Sequence, residues 1–202
     1  MGTIETTHRG AKRKAQTREK ILAGAKRLLK HDLSEVTVKH ITEEADVGLG
    51  TFYNHFDTKM DVLKAIGENY FIKYNEQLLV LTSGIDDPAE IIAVSYRYTL
   101  IQAMDKDTNS IFQQLPHPYL LDLIVQRAVS DTQRGIESGR FNVENPKAML
   151  CLLAGGLIAV MDYLSRGILS KKDAERTAVS HLYLHGISQK EAEEIVAREM
   201  PK

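Results

Sequence analysis

Thr51, Tyr53, Asn54 and His55 stand close together in the run TVKHITEEADVGLGTFYNHF, positions 37–56. Hydroxyls, an amide and an imidazole are the side chains that bond phosphate oxygens and base edges in a DNA groove. Phe52 and Phe56, four residues apart, put a narrow apolar stripe on the other side of the same short helix. Val38, Ile41 and Ala45 do the same for the helix before it. Between them Gly48 and Gly50 permit a sharp turn and a close approach of backbone to a neighbour. Two short helices joined by a tight turn containing glycine form the helix-turn-helix pattern. The rival reading of the same residues is a surface helix pair with no role on DNA.

The elements that must position these groups are helical. Helix-start signals recur at Thr37, at Thr58 with Asp61, at Asp87-Pro88, at Asn145-Pro146, at Ser170 with Asp173 and at Ser188 with Glu191. Each offers an acceptor to the unpaired amides of a first turn, often with an acid three residues on or a proline at the first helical position. Apolar spacing between these points is helical, as in Ile21, Leu22, Ala25, Leu28 and Leu29. The pattern predicts helices over 16–31, 38–45, 49–55, 59–82, 88–105, 109–115, 118–138, 146–166, 171–185 and 189–199, an all-α chain without strands. The first three helices form a compact DNA-binding domain over 1–58. The rest are longer and more apolar, as expected of a bundle over 59–202, with helix 59–82 joining the two.

Charge is distributed unevenly. The 202 residues carry 26 Lys and Arg against 27 Asp and Glu, a net charge of −1, yet residues 9–30 hold nine basic residues and one acid, Glu19. A basic start on a mildly acidic body suggests that one end meets a polyanion, though a solvated helix with a basic tail has the same composition. The arm from Arg9 to Arg18 is expected to be disordered in solution, and to track a phosphate backbone or enter a minor groove on binding. Cys151 is the only cysteine, which excludes an intrachain disulfide, suits a reducing compartment and reads as a small core residue. The N-terminus has no apolar stretch of the secretory kind. The apolar run Ala148 to Met161 is too short to span a bilayer, so no membrane partner and a cytoplasmic location are expected.

The segment GLGTFYNHFDTK resembles the recognition-helix signature of TetR-family regulators, and QTREKILAGAKRLL and TVKHITEEADV match that family's first two helices in length and apolar pattern. The resemblance covers roughly residues 14–75, with an echo at GIESGRFNVENPKAMLCLLAGGL. It implies a homodimer on an operator in double-stranded DNA, controlled by a small-molecule effector, with 59–202 as the ligand-binding and dimerisation bundle. By the same resemblance Thr37 caps a helix and contacts phosphate, and Lys39 reads bases. Gly48, Leu49, Gly50, Thr51 and Asn54 fall where sequence is read, and Tyr53, His55 and Lys59 fix register on phosphates. The chain departs from the family at Asp46, where glycine is common, and at Gly48, where a small hydroxyl residue is usual. The resemblance further implies that helices 146–166 and 171–185 pair with their copies as a four-helix interface.

Other signals are weaker. GLGTFY lacks the third glycine and preceding strand of a nucleotide-binding loop. His181 and His185 have metal-ligand spacing but no clear third ligand, so no metal or other cofactor is expected. No nucleophile, base and orienting group share a motif, which argues against an enzyme. In the body, Tyr96, Met104, Phe112, Gln113, His117, Tyr119, Ile124 and Arg127 mix apolar, aromatic and polar groups as an effector pocket would, and as a plain core would. Ala154, Gly155, Gly156 and Ala159 let another helix approach closely, within the chain or across a dimer seam. The expected function is a ligand-responsive repressor released from a palindromic operator by its effector. The alternatives are a constitutive DNA-binding protein without a small-molecule input and a small helical enzyme or carrier.

Overall fold

A computed structural model describes residues 3–29 and 35–201. The described chain is helical: α1 (Thr3–Leu28), α2 (Val38–Glu44), α3 (Leu49–Tyr53), α4 (Lys59–Leu81), α5 (Pro88–Met104), α6 (Lys106–Gln114), α7 (His117–Glu137), α8 (Pro146–Ser165), α9 (Lys171–Leu184) and α10 (Gln189–Val196). The expected start signals account for the caps. Asp87 accepts from the Ala89 amide at 3.0 Å, Asn145 from Ala148 at 3.1 Å, Ser170 from Asp173 at 3.2 Å and Ser188 from Glu191 at 3.3 Å. Thr58 and Asp61 exchange bonds across the first turn of α4, the Asp61 carboxylate accepting from the Thr58 amide at 2.9 Å.

One expectation about local structure is corrected. The basic arm is not a disordered tail but the N-terminal part of α1, which begins at Thr3. The physical reason lies in the residues themselves: Ala, Lys, Arg and Gln dominate 11–16, and all are good helix formers that extend a nucleus already formed by the packed turns. The expected end of this helix, positions 30 and 31, lies outside the described residues.

The chain divides into two compact units, Met1–Tyr70 with Ser110–Leu115, and Phe71–Asn109 with Pro116–Lys202. The division therefore falls inside α4, so that helix contributes to both units. In the first unit, Ile21, Leu22, Ala25 and Leu29 of α1 meet Ile41 and Ala45 of α2, Phe52 and Phe56 around α3, and Val62, Leu63, Ala65 and Ile66 of α4. In the second, Ala89, Ile92 and Ala93 of α5 pack with Phe141, Leu182, Ile187, Ala192 and Ile195. Phe141 lies over Gly135 so closely that a Cβ at 135 would stand 2.0 Å from its ring. Arg140 fixes the polar edge of this core, donating to Asp87 at 2.8 and 3.0 Å and pairing with Glu191 at 2.7 Å. That guanidinium holds the Asp87 carboxyl below the usual carboxylate range.

α8 is long and apolar enough to cross a membrane by length and composition. Its contacts with α5, α7 and α9 make it a bundle helix, with Leu150, Leu153, Leu157, Met161 and Leu164 buried. Cys151 falls off that stripe and is exposed, which corrects its assignment to the core.

His185 is fully buried at the end of α9. Its Nδ1 donates to the His181 carbonyl at 2.9 Å, leaving Nε2 to face the Thr132 hydroxyl at 3.4 Å. Phe141 lies 4.8 Å from the His185 ring and His181 stacks at 5.2 Å. Burial holds both imidazoles below their ordinary value, His181 down to about 3 with His185 as a second cause. Both are thus neutral when folded and become protonable when unfolded, so stability is full above the unfolded value of about 6.5 and is lost as pH falls below it. Urea unfolding between pH 7.5 and pH 5 should show stability declining by up to about 1.4 kcal/mol per pH unit for each such histidine. His185→Gln should be weaker at pH 7.5 but decline less steeply; an unchanged slope would assign the pH dependence to other groups.

Candidate nucleic-acid interface

α2 begins with a reciprocal cap. The Thr37 hydroxyl accepts from the His40 amide, and His40 Nδ1 accepts from the Thr37 amide, both at 3.3 Å. The helix ends in a Schellman-type turn, with the Val47 amide on the Thr42 carbonyl at 3.0 Å and the Asp46 amide on Glu43 at 3.2 Å. This closure requires a left-handed residue, and Asp46 supplies it with φ of 52°, the one non-glycine residue with positive φ among those described. The departure from glycine at this position thus carries a conformational cost. Beneath the turn, Gly24 of α1 lets α2 come close: a Cβ there would stand 2.9 Å from both the backbone nitrogen and the Cβ of Ala45. Arg27 locks the same contact, bonding the Glu44 carboxylate and donating to the Glu44 carbonyl at 2.7 Å.

α3 is one turn of helix whose N-cap, Gly48, makes no side-chain bond. Phe52 is fully buried, edge-on to Tyr53 at 5.4 Å and 6.0 Å from Phe56. With Phe52 inward, the opposite side faces out: Leu49 and Tyr53 are 53% and 52% exposed, and Gly48, Gly50 and Asn54 are exposed as well. Thr51 and His55 are half-buried at the edges, His55 just beyond the end of α3. Lys39 extends from α2 into solvent and pairs loosely with Glu43 at 3.8 Å. Lys59, half-buried, donates to the Val36 carbonyl at 2.7 Å, tying the start of α4 to the residue before Thr37. One contiguous patch therefore carries hydroxyl, amide and apolar groups of the types that read a groove.

Of the eight body residues singled out for an effector, Phe112 and Gln113 belong to the first unit and the others to the second. Tyr96 is buried against His181 at 4.7 Å and shares a 2.7 Å bond with Thr177. Phe112 is buried edge-on to Tyr70 at 5.2 Å within the first unit. Met104, Gln113 and His117 are exposed, while Tyr119 and Ile124 are half-buried. Arg127 donates to Asp131 at 2.7 Å. Asp131 is a buried carboxylate that also pairs with Arg134. Near Arg127 lies a polar group that sequence inspection missed. Tyr74 of α4 bonds Thr99 of α5 and stacks on Tyr98 at 5.5 Å. Burial raises the Tyr74 phenol to about 12, opposed by its bond to Thr99 and by the Arg127 charge. In the same stretches, Asn75 Oδ1 and Ser95 Oγ are buried with no hydrogen-bond partner among the described residues. Their only signal in the sequence is polarity on otherwise buried helix faces.

No group of three or more His, Cys, Asp or Glu among the described residues is placed to hold a metal. A surface recess of about 820 Å³ runs along α9 and α10, lined in part by Val179, Tyr183, Leu184, Gln189 and Glu193. Leu152 and Tyr163 on α8, and Tyr183 on α9, are apolar or aromatic residues 65%, 47% and 62% exposed.

A family model described as bacterial regulatory proteins, tetR family, matches residues 21–66, and one described as tetracyclin repressor-like, C-terminal domain, matches residues 87–198. Among solved structures, RolR in complex with the ligand resorcinol aligns at TM-score 0.80 and 30% identity, covering 95% of this chain and 98% of that one. RolR without ligand aligns equally well, over 92% and 98%. The fatty acid degradation regulator FadR from Bacillus halodurans shares the fold at TM-score 0.64 and 18% identity, over 83% and 93%. No curated protein sequence matches the chain significantly.

Substitutions at two positions probe the turn that aims α3 and the contact beneath it. Asp46→Gly should raise stability in urea unfolding, and Asp46→Val should lower it by about 1–2 kcal/mol, because the left-handed region is costly to a branched side chain. Equal stability of all three would mean that the turn relaxes out of the left-handed conformation. Gly24→Ala should cost about 1–3 kcal/mol, since the backbone of α2 stands in the way of the added methyl; a neutral result would show that α1 and α2 can separate freely.

Proposed function

The chain belongs to the TetR family of DNA-binding transcriptional regulators, and we propose that it is a repressor released from a two-fold operator when a small phenolic compound enters its body. Regulators of this family act by binding, and nothing in the proposal requires a catalytic step. Thr37, Lys39 and the outward residues of α3 read and grip the groove; Tyr53, His55 and Lys59 set the register on phosphates. A homodimer presents two such surfaces to half-sites about 34 Å apart. The exposed faces of α8 and α9 support that dimer. Leu152, Tyr163 and Tyr183 offer apolar area, and a Cβ at Gly155 or Gly156 would meet nothing within 4 Å, so a second helix can approach there.

The observation that carries the effector reading is the pair of unpartnered buried atoms, Asn75 Oδ1 and Ser95 Oγ. A buried polar atom without a partner costs about 1–3 kcal/mol, and a ligand hydroxyl would recover that energy. Resorcinol, the ligand of the RolR structure, is a ring with two hydroxyls. A compound of that kind suits the neighbourhood: Tyr74 and Tyr98 offer ring faces, and Arg127 with Asp131 offers a donor and an acceptor. A constitutive DNA-binding body would have no use for such atoms.

Release follows if the effector binds the DNA-free state more tightly than the DNA-bound one, since equal affinity would shift nothing. α4 gives the coupling a path. Asn75 lies on its second half, while Val62, Leu63 and Ile66 on its first half sit in the core that holds α3. The proposed setting is the cytoplasm, where the operator is found.

Fluorescence anisotropy on a labelled duplex from upstream of the protein's own gene, at fixed salt with scrambled competitor, tests the reading. Wild type should bind in preference to competitor, and Tyr53→Phe with Lys59→Ala should not. Resorcinol should weaken operator binding by about 5- to 150-fold, the usual range of allosteric coupling. Asn75→Leu should bind operator but lose the response. Resorcinol binding seen by calorimetry, with operator affinity unchanged, would sink the release mechanism.

A further inference from the structure

The face of α1 that packs into the first unit does not end where its apolar residues do. Going back from Leu22 in steps of one turn, the same face carries Arg18 and then Lys14. Arg18 lies over the Phe56 ring, its guanidinium carbon 5.0 Å from the centroid. Phe56 directly follows His55, so the end of the α3 segment and the basic turns of α1 meet at one place. Lys14 is exposed and Arg18 half-buried, and neither pairs with a carboxylate among the described residues. Glu19, the only acid between positions 9 and 30, is also exposed and leaves these charges uncompensated.

We propose that Lys14 and Arg18 form, with His55, a built phosphate-binding site that grips the DNA backbone beside the groove occupied by α3. This rests on the DNA-binding reading above and deepens it: the partner is the phosphodiester strand, irrespective of base sequence. Stacking on Phe56 holds the Arg18 guanidinium in place, so little side-chain freedom is lost when it meets a phosphate. Lys14, one turn further out, extends the site along the strand. The positive field there is already felt by His55, whose imidazole is held below its ordinary value by burial and then by Lys14 and Arg18. A phosphate at this point would relieve that repulsion. The helical state of α1 gives the site a direction that a loose basic tail lacks, since Lys12, about 160° around the helix from Lys14, points elsewhere.

The test compares wild type, Lys14→Gln, Lys12→Gln and Arg18→Lys on two duplexes of equal length, the upstream one and a scrambled one, between about 50 and 200 mM salt. Lys14→Gln should reduce the slope of log affinity against log salt by about 0.9 for each phosphate that Lys14 neutralises, on both duplexes. Lys12→Gln should change the slope much less. Arg18→Lys keeps the charge but loses the stack, and should weaken binding with little change of slope. The proposal is overturned if Lys14→Gln keeps the wild-type slope, or if Lys12→Gln and Lys14→Gln reduce it equally, as an unoriented tail would. Circular dichroism checks that the variants keep the helix. Should wild type fail to prefer the upstream duplex, the sequence-reading proposal suffers, while the slopes on scrambled DNA still decide this one.

Discussion

A five-residue helix closes a single turn of hydrogen bonds and has no stability of its own in water. Everything α3 can do therefore depends on Phe52, the side chain that inserts it into the core built by α1, α2 and α4. Full burial of that ring contributes roughly 1.5–3 kcal/mol, comparable to the other terms that hold so short an element. It also sets rotation, since burying Phe52 turns Leu49 and Tyr53 outward. The reading surface is thus a by-product of packing: the outward groups are free to vary chemically because one inward ring settles where they point.

The same dependence on close approach runs through the first unit. Gly24 brings α1 against Ala45, and the left-handed Asp46 then reverses the chain within two residues. Gly67 of α4 plays a similar part for residues 110–115, where a Cβ would stand 2.9 Å from Leu115, and Tyr70 meets Phe112 edge-on. A short stretch of α6 consequently belongs with the recognition unit although the helices on either side of it in the chain belong with the body. The chain thus passes from one unit to the other three times, within α4, within α6 and after Leu115.

The body is held differently, by an apolar core edged with satisfied charges. Arg140 joins the start of α5, the loop before α8 and the start of α10 through Asp87 and Glu191. The histidine pair is accommodated as neutral rings among aromatics. Against that background of satisfied groups, Asn75 and Ser95 stand out. A packed interior tolerates such atoms poorly, and they flank in sequence the Tyr74–Thr99 pair that bonds α4 to α5.

Local chemistry made much of this legible in the sequence alone. Caps at Thr37, Asp87, Asn145, Ser170 and Ser188, and the 3.6-residue apolar spacing between them, depend on neighbours a turn away, so the helices and their order follow directly from the chain. The recognition segment was legible for the same reason: Phe52 and Phe56, the glycines and the polar residues lie within a few positions of one another. What needed the tertiary structure were choices among faces and partners distant in sequence. Cys151 and Leu153 are two residues apart on one apolar helix, yet only packing made one exposed and the other buried. Tyr96 and Phe112 are buried against rings that spacing along the chain does not reveal, His181 and Tyr70, which lie 85 and 42 residues away in opposite directions. Tyr74, Asn75 and Ser95 looked like ordinary helix residues until burial removed their access to water. Spacing along a helix determines which residues share a face; only the fold decides what that face meets, because long-range burial, and not local propensity, sets the energy of each side chain's surroundings.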